Sequence, residues 1–208
     1  MQRIDTGRAR FVDFIRHGVP VGGRRYRGHR DDPLSEQGWH EMWAAVGDDP
    51  PSWSLIVTSP LRRCAEFATE LGGCLDVPVI TETGFKEISF GAWEGRTVDA
   101  ILAESPEEIS AYWHDPVANT PPRGESLPDF RDRVVAAWER LLERQARHVL
   151  VVGHGGLIRT LVGHVLGMPL PSVLRLEVPN AGITRLRVQS DVNGRPAPSL
   201  VFHARQGL

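Results

Sequence analysis

The sequence predicts an α/β protein in which helices cover both faces of a mostly parallel sheet, giving a three-layer α/β/α sandwich. Short runs of apolar, strand-prone residues alternate along the chain with longer segments of helical period. Two of these runs are apolar almost throughout and end abruptly at a histidine next to glycine. Ligands of such sheets bind just beyond the carboxyl ends of the strands, so the same runs indicate where a site would lie.

The bulk composition is that of one compact domain. The chain has 208 residues, of which 41% are hydrophobic, and we expect a single domain over 1–208 with a loop and helical cover at about 92–126. A net charge of -2 gives no electrostatic case for binding nucleic acid or an anionic membrane. Lys86 is the only lysine, so the basic residues are almost all arginine, which suits phosphate and carboxylate groups.

Targeting signals and metal motifs are missing from the sequence. Residues 1–10 are polar, and no uninterrupted apolar run reaches the roughly 18 residues of a membrane span. Cys64 and Cys74 have no spacing typical of a zinc site or a disulfide framework, which indicates two reduced thiols. A cytoplasmic protein with no metal and no cofactor is therefore expected.

The first half of the chain predicts three strands. The first, over 11–15, is followed by an arginine-rich loop over 19–30. Ser35 is the expected N-cap of a helix. The second strand, over 55–58, leads directly into another amphipathic helix, and a short third strand is expected at 78–80.

The helix after the second strand begins with an unusual pair of charges. Arg62 and Arg63 lie in its first turn, where the helix itself carries partial positive charge. An anion bound at that end would remove the conflict, so this junction is a second candidate part of a site.

The middle of the chain contains an irregular segment and two helical regions. Residues 85–95 combine aromatics, glycines and carboxylates without a regular period. Residues 97–113 are predicted to be helical with a break near proline, and 115–123 to be a loop. Ser126 with Asp129 forms a capping pair that opens a long amphipathic helix.

The last third begins with the second apolar run that ends in a histidine. A strand is expected over 148–153 and a helix over about 157–166. Strands are then expected over 173–178, 183–188 and 199–203, near an edge of the sheet.

The residues at these strand ends suit phosphate chemistry. If the strands ending in His17 and His154 are neighbours in a parallel sheet, both histidines and Arg16 open on one edge. Guanidinium groups match phosphate oxygens two at a time, and a neutral imidazole can attack phosphorus. A leaving alkoxide needs a proton, for which Glu87 and Glu94 are the candidate carboxylic acids.

Five segments in this order also resemble the motifs of the histidine phosphatase family, which includes cofactor-dependent phosphoglycerate mutases and fructose-2,6-bisphosphatases. The segments are Arg16-His17-Gly18, Ser59-Pro60-Leu61-Arg62-Arg63, Glu87-Ile88-Ser89-Phe90-Gly91-Ala92-Trp93-Glu94-Gly95, Gly124-Glu125-Ser126 and Val152-Gly153-His154-Gly155-Gly156. The resemblance implies a phosphoglycerate mutase-like fold from about residue 11 to residue 188.

The resemblance also implies roles for individual residues. His17 would be the phosphorylated nucleophile, and Arg16 and Arg63 would hold the phosphoryl oxygens. His154 would donate to those oxygens, and Glu87 would act first as general acid and then as general base. The residues expected to contact the substrate are Arg27, Gly28, Gly155 and Glu125.

Arg62 and Val19 differ from the other residues of these motifs. Arg62 takes a variable place in its motif, so it is expected at the surface or rim. Val19 stands where members of the family commonly carry an acid, which leaves the orientation of the substrate open.

Parts of the chain are similar to α-ribazole phosphatases of cobalamin synthesis, namely residues 26–34 and 112–126. The chain is also compact, whereas mutases of this type carry longer inserts over the site, and a shorter cover favours hydrolysis. The predicted function is a metal-independent phosphomonoesterase acting through phosphohistidine on α-ribazole-5'-phosphate. Tyr26, Trp93 and Trp113 are candidate contacts for an aromatic base.

Alternative functions stay open at this stage. A broad sugar-phosphate or phosphoglycerate phosphatase, or a phosphoglycerate mutase, would use the same residues. A metallohydrolase using His17 and His154 and a non-catalytic phosphate-binding protein are the remaining alternatives. The expected partner is a small phosphorylated substrate, and the sequence leaves open whether the chain forms a homodimer.

Overall fold

A computed structural model describes residues 9–207 and confirms the α/β/α architecture. Residues 1–8, which carry most of the expectation about a signal sequence, lie outside the described residues, as does residue 208. The strands are β1 (Arg10–Arg16), β2 (Leu55–Thr58), β3 (Val79–Thr81), β4 (His148–Gly153), β5 (Ile183–Ser190) and β6 (Pro196–Arg205). The α-helices are α1 (Glu36–Val46), α2 (Arg62–Leu75), α3 (Val98–Glu104), α4 (Pro106–His114), α5 (Leu127–Leu142) and α6 (Gly155–Val165). Over this part of the chain, no helix has both the length and the apolar character to cross a membrane.

The sheet has the strand order β3-β2-β4-β1-β5-β6. The first four strands in that order are parallel, and β5 and β6 continue the sheet in antiparallel fashion. Arg16 of β1 lies opposite Gly153 of β4, and Thr58 of β2 lies opposite Val152. Three parallel strands therefore end side by side, and the residues that follow them share one edge.

The central strands are largely apolar because they are buried on both faces. On β4, Val149 and Val151 face a core that includes buried residues of α5 and α6. Leu150 and Val152 face the opposite core, which includes residues of α1 and α2. A strand with one polar face would alternate in the sequence, and β4 does not.

Asp13 interrupts the apolar pattern of β1 and is fully buried. Its carboxylate accepts hydrogen bonds from Arg185 Nε at 2.6 Å and Trp53 Nε1 at 2.9 Å, and it lies 2.8 Å from His148 Nε2. Burial acts to raise the pKa of Asp13, but the hydrogen bonds from Arg185, His148 and Trp53 outweigh it and lower the pKa. Asp13, the one polar residue within the apolar run, is therefore the centre of a buried polar network.

A third, smaller apolar cluster lies outside the two main cores. It joins Trp93 to Ile101 of α3 and to Ile109 and Tyr112 of α4. The helical prediction over 97–113 is confirmed, with α4 beginning at Pro106. These helices stand in the segment predicted to form the cover.

The prediction of a strand over 173–178 is wrong, because Leu170–Arg175 forms a 3-10 helix. Pro169 and Pro171 lack N–H groups and have fixed φ angles, which favours a turn-like start. Val173 packs closely on α6, where a Cβ added to Gly163 would lie 2.5 Å from its Cγ1. Val173 is therefore apolar because it packs against α6, and it does not pair with a neighbouring strand.

Candidate active site

His17 follows β1 directly and lines a cavity of about 560 Å³. Its backbone N–H donates to the Gly153 carbonyl at 2.9 Å, which ties it to β4. Its Nδ1 lies 2.8 Å from the Gly18 carbonyl oxygen. Because a carbonyl oxygen can only accept, Nδ1 carries the hydrogen and Nε2 carries the lone pair. Nε2 makes no hydrogen bond within residues 9–207, so its lone pair is available to a ligand in the cavity.

His154 stands beside His17 at the end of β4. The two ring centroids are 5.3 Å apart with an interplanar angle of 67°. His154 is fully buried, and its Nε2 lies 2.7 Å from Ser59 Oγ, at the junction of β2 and α2. The Cys64 thiol also lies against the ring, with Sγ 3.7 Å from Nε2. The predicted convergence of the two histidines is therefore present in the structure.

Both histidines are held in the neutral form. Burial lowers the pKa of His17 well below its ordinary value, and the charges of Arg63 and Arg16 lower it further. Burial also lowers the pKa of His154, followed by the charge of Arg63. A neutral imidazole is the form that can act as a nucleophile.

Arg16 and Arg63 flank the histidine pair and have spare hydrogen-bond donors. Arg16 lines the cavity and donates from Nη1 to the Val178 carbonyl. Arg63 is 1% exposed and donates to the carbonyls of Arg30 and Gly28, each at 2.8 Å. The Nε of each arginine is buried without a partner. A bound anion would supply acceptors for such buried donors.

Glu87 is the carboxylate on the cavity wall. Its Oε2 accepts from the Gly156 N–H at 3.0 Å, at the start of α6. Glu94, the other candidate acid, accepts from the N–H groups of His29 and Phe90 and so joins two loops. Glu94 is not among the cavity-lining residues, so the geometry selects Glu87.

The start of α2 is capped by a carboxylate of the chain itself. The Arg62 N–H donates to Asp31 Oδ1 at 2.7 Å. A carboxylate of the protein itself therefore already lies at this helix end, and binding of a ligand there stays a prediction. Arg62 is exposed and paired with Glu66 at 2.7 Å, in agreement with its predicted place at the surface.

Arg27 and Gly28, two predicted substrate contacts, line the cavity. Arg27 donates to the carbonyls of Val21 and Gly23 at 2.7 and 2.6 Å and pairs with Asp32 at 3.3 Å. The two bonds from Nη2 fix the arginine-rich loop, whereas Arg27 Nε is buried without a hydrogen-bond partner in the described part of the chain.

The other two predicted contacts differ in their placement. Gly155 lines the cavity at the start of α6, whereas Glu125 does not line it. Glu125 forms a salt bridge to Arg133 at 2.6 Å and accepts from the Ser89 N–H at 3.2 Å. Arg133 also donates to the Glu87 carbonyl at 2.9 Å. The placement of Glu125 supports a bracing role for the Glu87 segment and does not support contact with substrate.

Three polar cavity residues were missed in the sequence analysis: Arg159, Thr160 and Asn180. Arg159 lies four positions after Gly155, so both share one face of α6. That spacing is a usable signal once the strand before α6 is assigned. Asn180 has no such signal, because it reaches the cavity through the loop before β5.

The apolar part of the cavity wall is partly aromatic. Tyr26 lines the cavity, and its hydroxyl accepts a hydrogen bond from Trp113 Nε1 at 3.0 Å. Trp93 is 2% exposed, belongs to the small apolar cluster and does not line the cavity. The remaining apolar lining residues are Val19, Pro20, Ile88, Phe90, Tyr112, Leu127, Phe130, Val173 and Leu174.

The described part of the chain does not supply a metal-binding donor set. Within residues 9–207, no group of three or more histidine, cysteine, aspartate or glutamate side chains is placed to share a metal ion. His17 and His154 meet ring against ring, and the Nε2 of His154 already has Ser59 as its partner.

Comparisons with known proteins point to one family. The profile of the histidine phosphatase superfamily (branch 1) matches residues 12–194. A glucosyl-3-phosphoglycerate phosphatase of Mycolicibacterium vanbaalenii is 34% identical over 176 residues, covering 78% of this chain and 77% of that protein. A probable phosphoglycerate mutase of Klebsiella pneumoniae subsp. pneumoniae is 33% identical over 190 residues, covering 86% of this chain and 85% of that protein.

Some relatives are much longer than this chain. A bifunctional protein of Mycobacterium tuberculosis is 34% identical over 166 residues, which cover 78% of this chain but 42% of that protein. Two further mycobacterial relatives, both uncharacterised, show the same coverage.

Solved structures show the same similarity. A mycobacterial glucosyl-3-phosphoglycerate phosphatase superposes with a TM-score of 0.82 at 29% identity, covering 95% of this chain and 100% of that chain. A putative α-ribazole-5'-P phosphatase of Escherichia coli superposes with a TM-score of 0.82 at 25% identity, covering 96% of this chain and 98% of that chain.

Proposed function

The chain belongs to the histidine phosphatase superfamily, and from this we propose that it is a metal-independent phosphomonoesterase that works through a phosphohistidine at His17. The observation that carries the proposal is the pair of buried, neutral imidazoles with centroids 5.3 Å apart. Arg16 and Arg63 flank this pair with unpartnered Nε donors.

In the first step, His17 Nε2 attacks phosphorus and the bond to the leaving oxygen breaks. The Nδ1–H bond to the Gly18 carbonyl supports this step because it holds the lone pair on Nε2. Arg16, Arg63 and His154 offset the negative charge on the phosphoryl oxygens. Glu87 donates a proton to the leaving oxygen, so an alcohol departs and phosphohistidine remains.

In the second step, a water molecule attacks the phosphohistidine. Glu87, now ionised, accepts a proton from that water. The bond between phosphorus and Nε2 breaks, which releases inorganic phosphate and restores neutral His17. The chain therefore needs no cofactor in the proposed cycle.

The partner is a small phosphorylated substrate with a large leaving group, because the cavity of about 560 Å³ far exceeds the volume of one phosphoryl group. α-Ribazole-5'-phosphate is one candidate, supported by the motif resemblance and by Tyr26 and the aromatic part of the wall. A phosphorylated sugar acid such as glucosyl-3-phosphoglycerate is the second candidate, supported by Arg159 on the same wall, whose Nε donates to the Leu176 carbonyl and whose Nη groups stay available to a ligand.

The test is phosphate release from both candidates by the full chain in excess chelator. We expect His17→Ala to lose nearly all turnover and His154→Ala to show a large fall. His40→Ala is the matched control, since His40 is exposed on α1, and it should keep wild-type turnover.

Trapping of the intermediate separates this proposal from its alternatives. Brief reaction with a labelled phosphodonor should place acid-labile label on His17. Unchanged turnover in His17→Ala would refute the nucleophile. Phosphate binding without any label would favour a non-catalytic protein, and transfer of label to a second substrate molecule would favour a mutase.

A further inference from the structure

We propose that Arg133, paired with Glu125, is a positioning residue for the general acid of the reaction. The pair holds residues 84–89, the Glu87 segment, where the Glu87 carboxyl can pass a proton to the leaving oxygen. The inference rests on the proposed phosphatase function and deepens it. Loss of the pair should slow the hydrolysis of esters whose leaving group needs a proton and spare esters whose leaving group does not.

Arg133 lies on α5, outside the cavity lining, and all of its side-chain donors are used within the protein. Its Nε and Nη2 donate to the two carboxylate oxygens of Glu125 at 2.6 and 2.8 Å. Its Nη1 donates to the carbonyls of Gly84 and Lys86 at 3.0 and 2.7 Å, and Nη2 donates to the Glu87 carbonyl at 2.9 Å. A guanidinium has five N–H groups in a fixed fork, so these bonds occupy every one of them.

The backbone around Glu87 depends on side chains for its position. Residues 86–90 lie outside the helices and strands, so neither a helix nor strand pairing fixes them. Glu125 bonds twice to Ser89: its Oε2 accepts from the Ser89 N–H at 3.2 Å, and its own N–H donates to the Ser89 carbonyl at 2.9 Å. Arg133 therefore holds the carbonyls up to Glu87, and Glu125 holds the residue that follows Ile88.

The surroundings of the pair make it a stiff support. The guanidinium carbon of Arg133 lies 4.7 Å from the ring centroid of Phe130, which is fully buried and lines the cavity. The Arg133 and Glu125 side chains are only 26% and 18% exposed, so solvent screens this pair less than an exposed one. A Cβ on Gly84 would lie 2.6 Å from the Cβ of Ala137, so α5 packs directly on the segment.

The Glu87 carboxyl has a second anchor on the other side of the segment. Its Oε2 accepts from the Gly156 N–H at 3.0 Å, and its Oε1 accepts from the Ile88 N–H at 3.0 Å. Gly156 comes two residues after His154, so α6 places the carboxyl beside the phosphoryl site. The side chain is thus positioned by α6 and its backbone by α5.

Loss of the α5 anchor would act on proton transfer in particular. A general acid must lie within hydrogen-bond reach of the atom that it protonates, and a misplacement of about 1 Å can cost roughly 100-fold in rate. Arg133 makes its bonds to Glu125 and to carbonyls of the Glu87 segment, so its loss leaves His17 and Arg63 in place. Attack on phosphorus should therefore continue while protonation of the leaving oxygen becomes inefficient.

The test compares phenyl phosphate with 4-nitrophenyl phosphate, which differ only in a nitro group. 4-Nitrophenolate is a stable anion that leaves without a proton, whereas the more basic phenolate depends on the acid. kcat/KM reports the phosphorylation step, so the later role of Glu87 as a base does not enter. In Arg133→Lys, the ratio of kcat/KM for the nitrophenyl ester to that for the phenyl ester should rise by roughly 10- to 100-fold, a part of what a general acid contributes. Glu87→Gln should show the largest rise.

Two further variants and one binding measurement complete the test. Arg133→Lys keeps the charge, but a compact ammonium cannot span the carboxylate and three carbonyls. Glu125→Gln keeps neutral hydrogen bonds and should raise the ratio by less than Arg133→Lys does. Arg140→Gln is the matched control: Arg140 is exposed on α5 and pairs with Glu82 at 2.9 Å, and it should leave the ratio unchanged. Competitive inhibition by inorganic phosphate should keep its wild-type strength in all three variants, which shows that the phosphoryl site is intact.

The other outcomes separate a positioning role from a merely structural one. An equal fall for both esters in Arg133→Lys, with phosphate inhibition retained, would overturn the proposal, because the pair would then not act through the acid. If Arg133→Lys loses phosphate inhibition, Glu125→Gln decides: a raised ratio supports the proposal and an unchanged ratio overturns it. If the wild type hydrolyses neither ester and no label appears on His17, the proposed function itself is rejected.

Discussion

Ser59→Ala tests whether His154 must be held in one orientation. Ser59 is fully buried, and its Oγ accepts from the Leu61 N–H at 3.3 Å and lies 2.7 Å from His154 Nε2. With one lone pair taken by Leu61, the hydroxyl hydrogen is best satisfied by Nε2. That arrangement leaves the hydrogen of the imidazole on Nδ1. Alanine removes the hydroxyl without adding volume.

The size of the effect follows from the contacts that remain. Without Ser59 Oγ, the one polar group within residues 9–207 that still lies beside His154 Nε2 is the Cys64 thiol at 3.7 Å, a weak partner. Leaving a buried polar group without its partner costs about 1 to 3 kcal/mol. If His154 loses this much stabilisation of the orientation needed for the reaction, turnover falls by roughly 5- to 150-fold. The same loss should lower the free energy of unfolding by a comparable amount.

The assay separates orientation from folding. Rapid mixing with 4-nitrophenyl phosphate gives the rates of phosphorylation and dephosphorylation, and 15N NMR of His154 reports which ring nitrogen carries the hydrogen. Ser54→Ala is the control: the exposed Ser54 Oγ donates to the His148 carbonyl at 3.1 Å, at the far end of β2. Ser59→Ala turnover within twofold of wild type, with an unchanged His154 spectrum, would refute the reasoning.

Three further predictions concern stability and protonation. Asp13→Asn should lower the free energy of unfolding in urea by about 2 to 4 kcal/mol at pH 7, because it breaks a buried ion pair whose arginine is partly exposed. Because the folded pKa of Asp13 is lowered, this difference should be present above about pH 4, the ordinary pKa, and shrink as the pH falls through the folded value. Gly18→Ala should lower both the melting temperature and turnover, since its Cβ would lie 2.2 Å from the Gly38 carbonyl oxygen, whereas Gly73→Ala, in open space, should cost nothing. The His17 ring protons should show no NMR titration near pH 6.5, and stability should fall below that pH because the unfolded chain takes up the proton first.

The meeting of the two histidines could be predicted from the sequence because strand topology determines it. His17 and His154 each follow a strand that is mostly apolar and buried on both faces, and such strands occupy the middle of a parallel sheet. The register pairs Arg16 with Gly153, so the next residues, His17 and His154, leave the sheet side by side at the same edge. No knowledge of side-chain contacts was needed for that step.

The choice between Glu87 and Glu94 could not be made in the same way. Both glutamates lie in one irregular segment. Because it has no helical or strand period, a residue's position in the sequence does not indicate which way its side chain points. Glu87 is selected by the Gly156 N–H, 69 positions later in the chain, and Glu94 is occupied by the His29 N–H, 65 positions earlier. Asp31 was overlooked as the cap of α2 for a similar reason, since its bond to the Arg62 N–H spans 31 positions.

The arginines of the site also explain why lysine would not replace them. Arg16, Arg63 and Arg159 each donate at least one hydrogen bond to a backbone carbonyl of another segment. Each guanidinium is therefore oriented before a ligand arrives and keeps further N–H groups for it. A lysine ammonium is a compact charge on a flexible stem, without the fixed plane that divides its donors between the fold and a ligand. The same side chains thus hold the loops together and keep donors for a bound phosphoryl group.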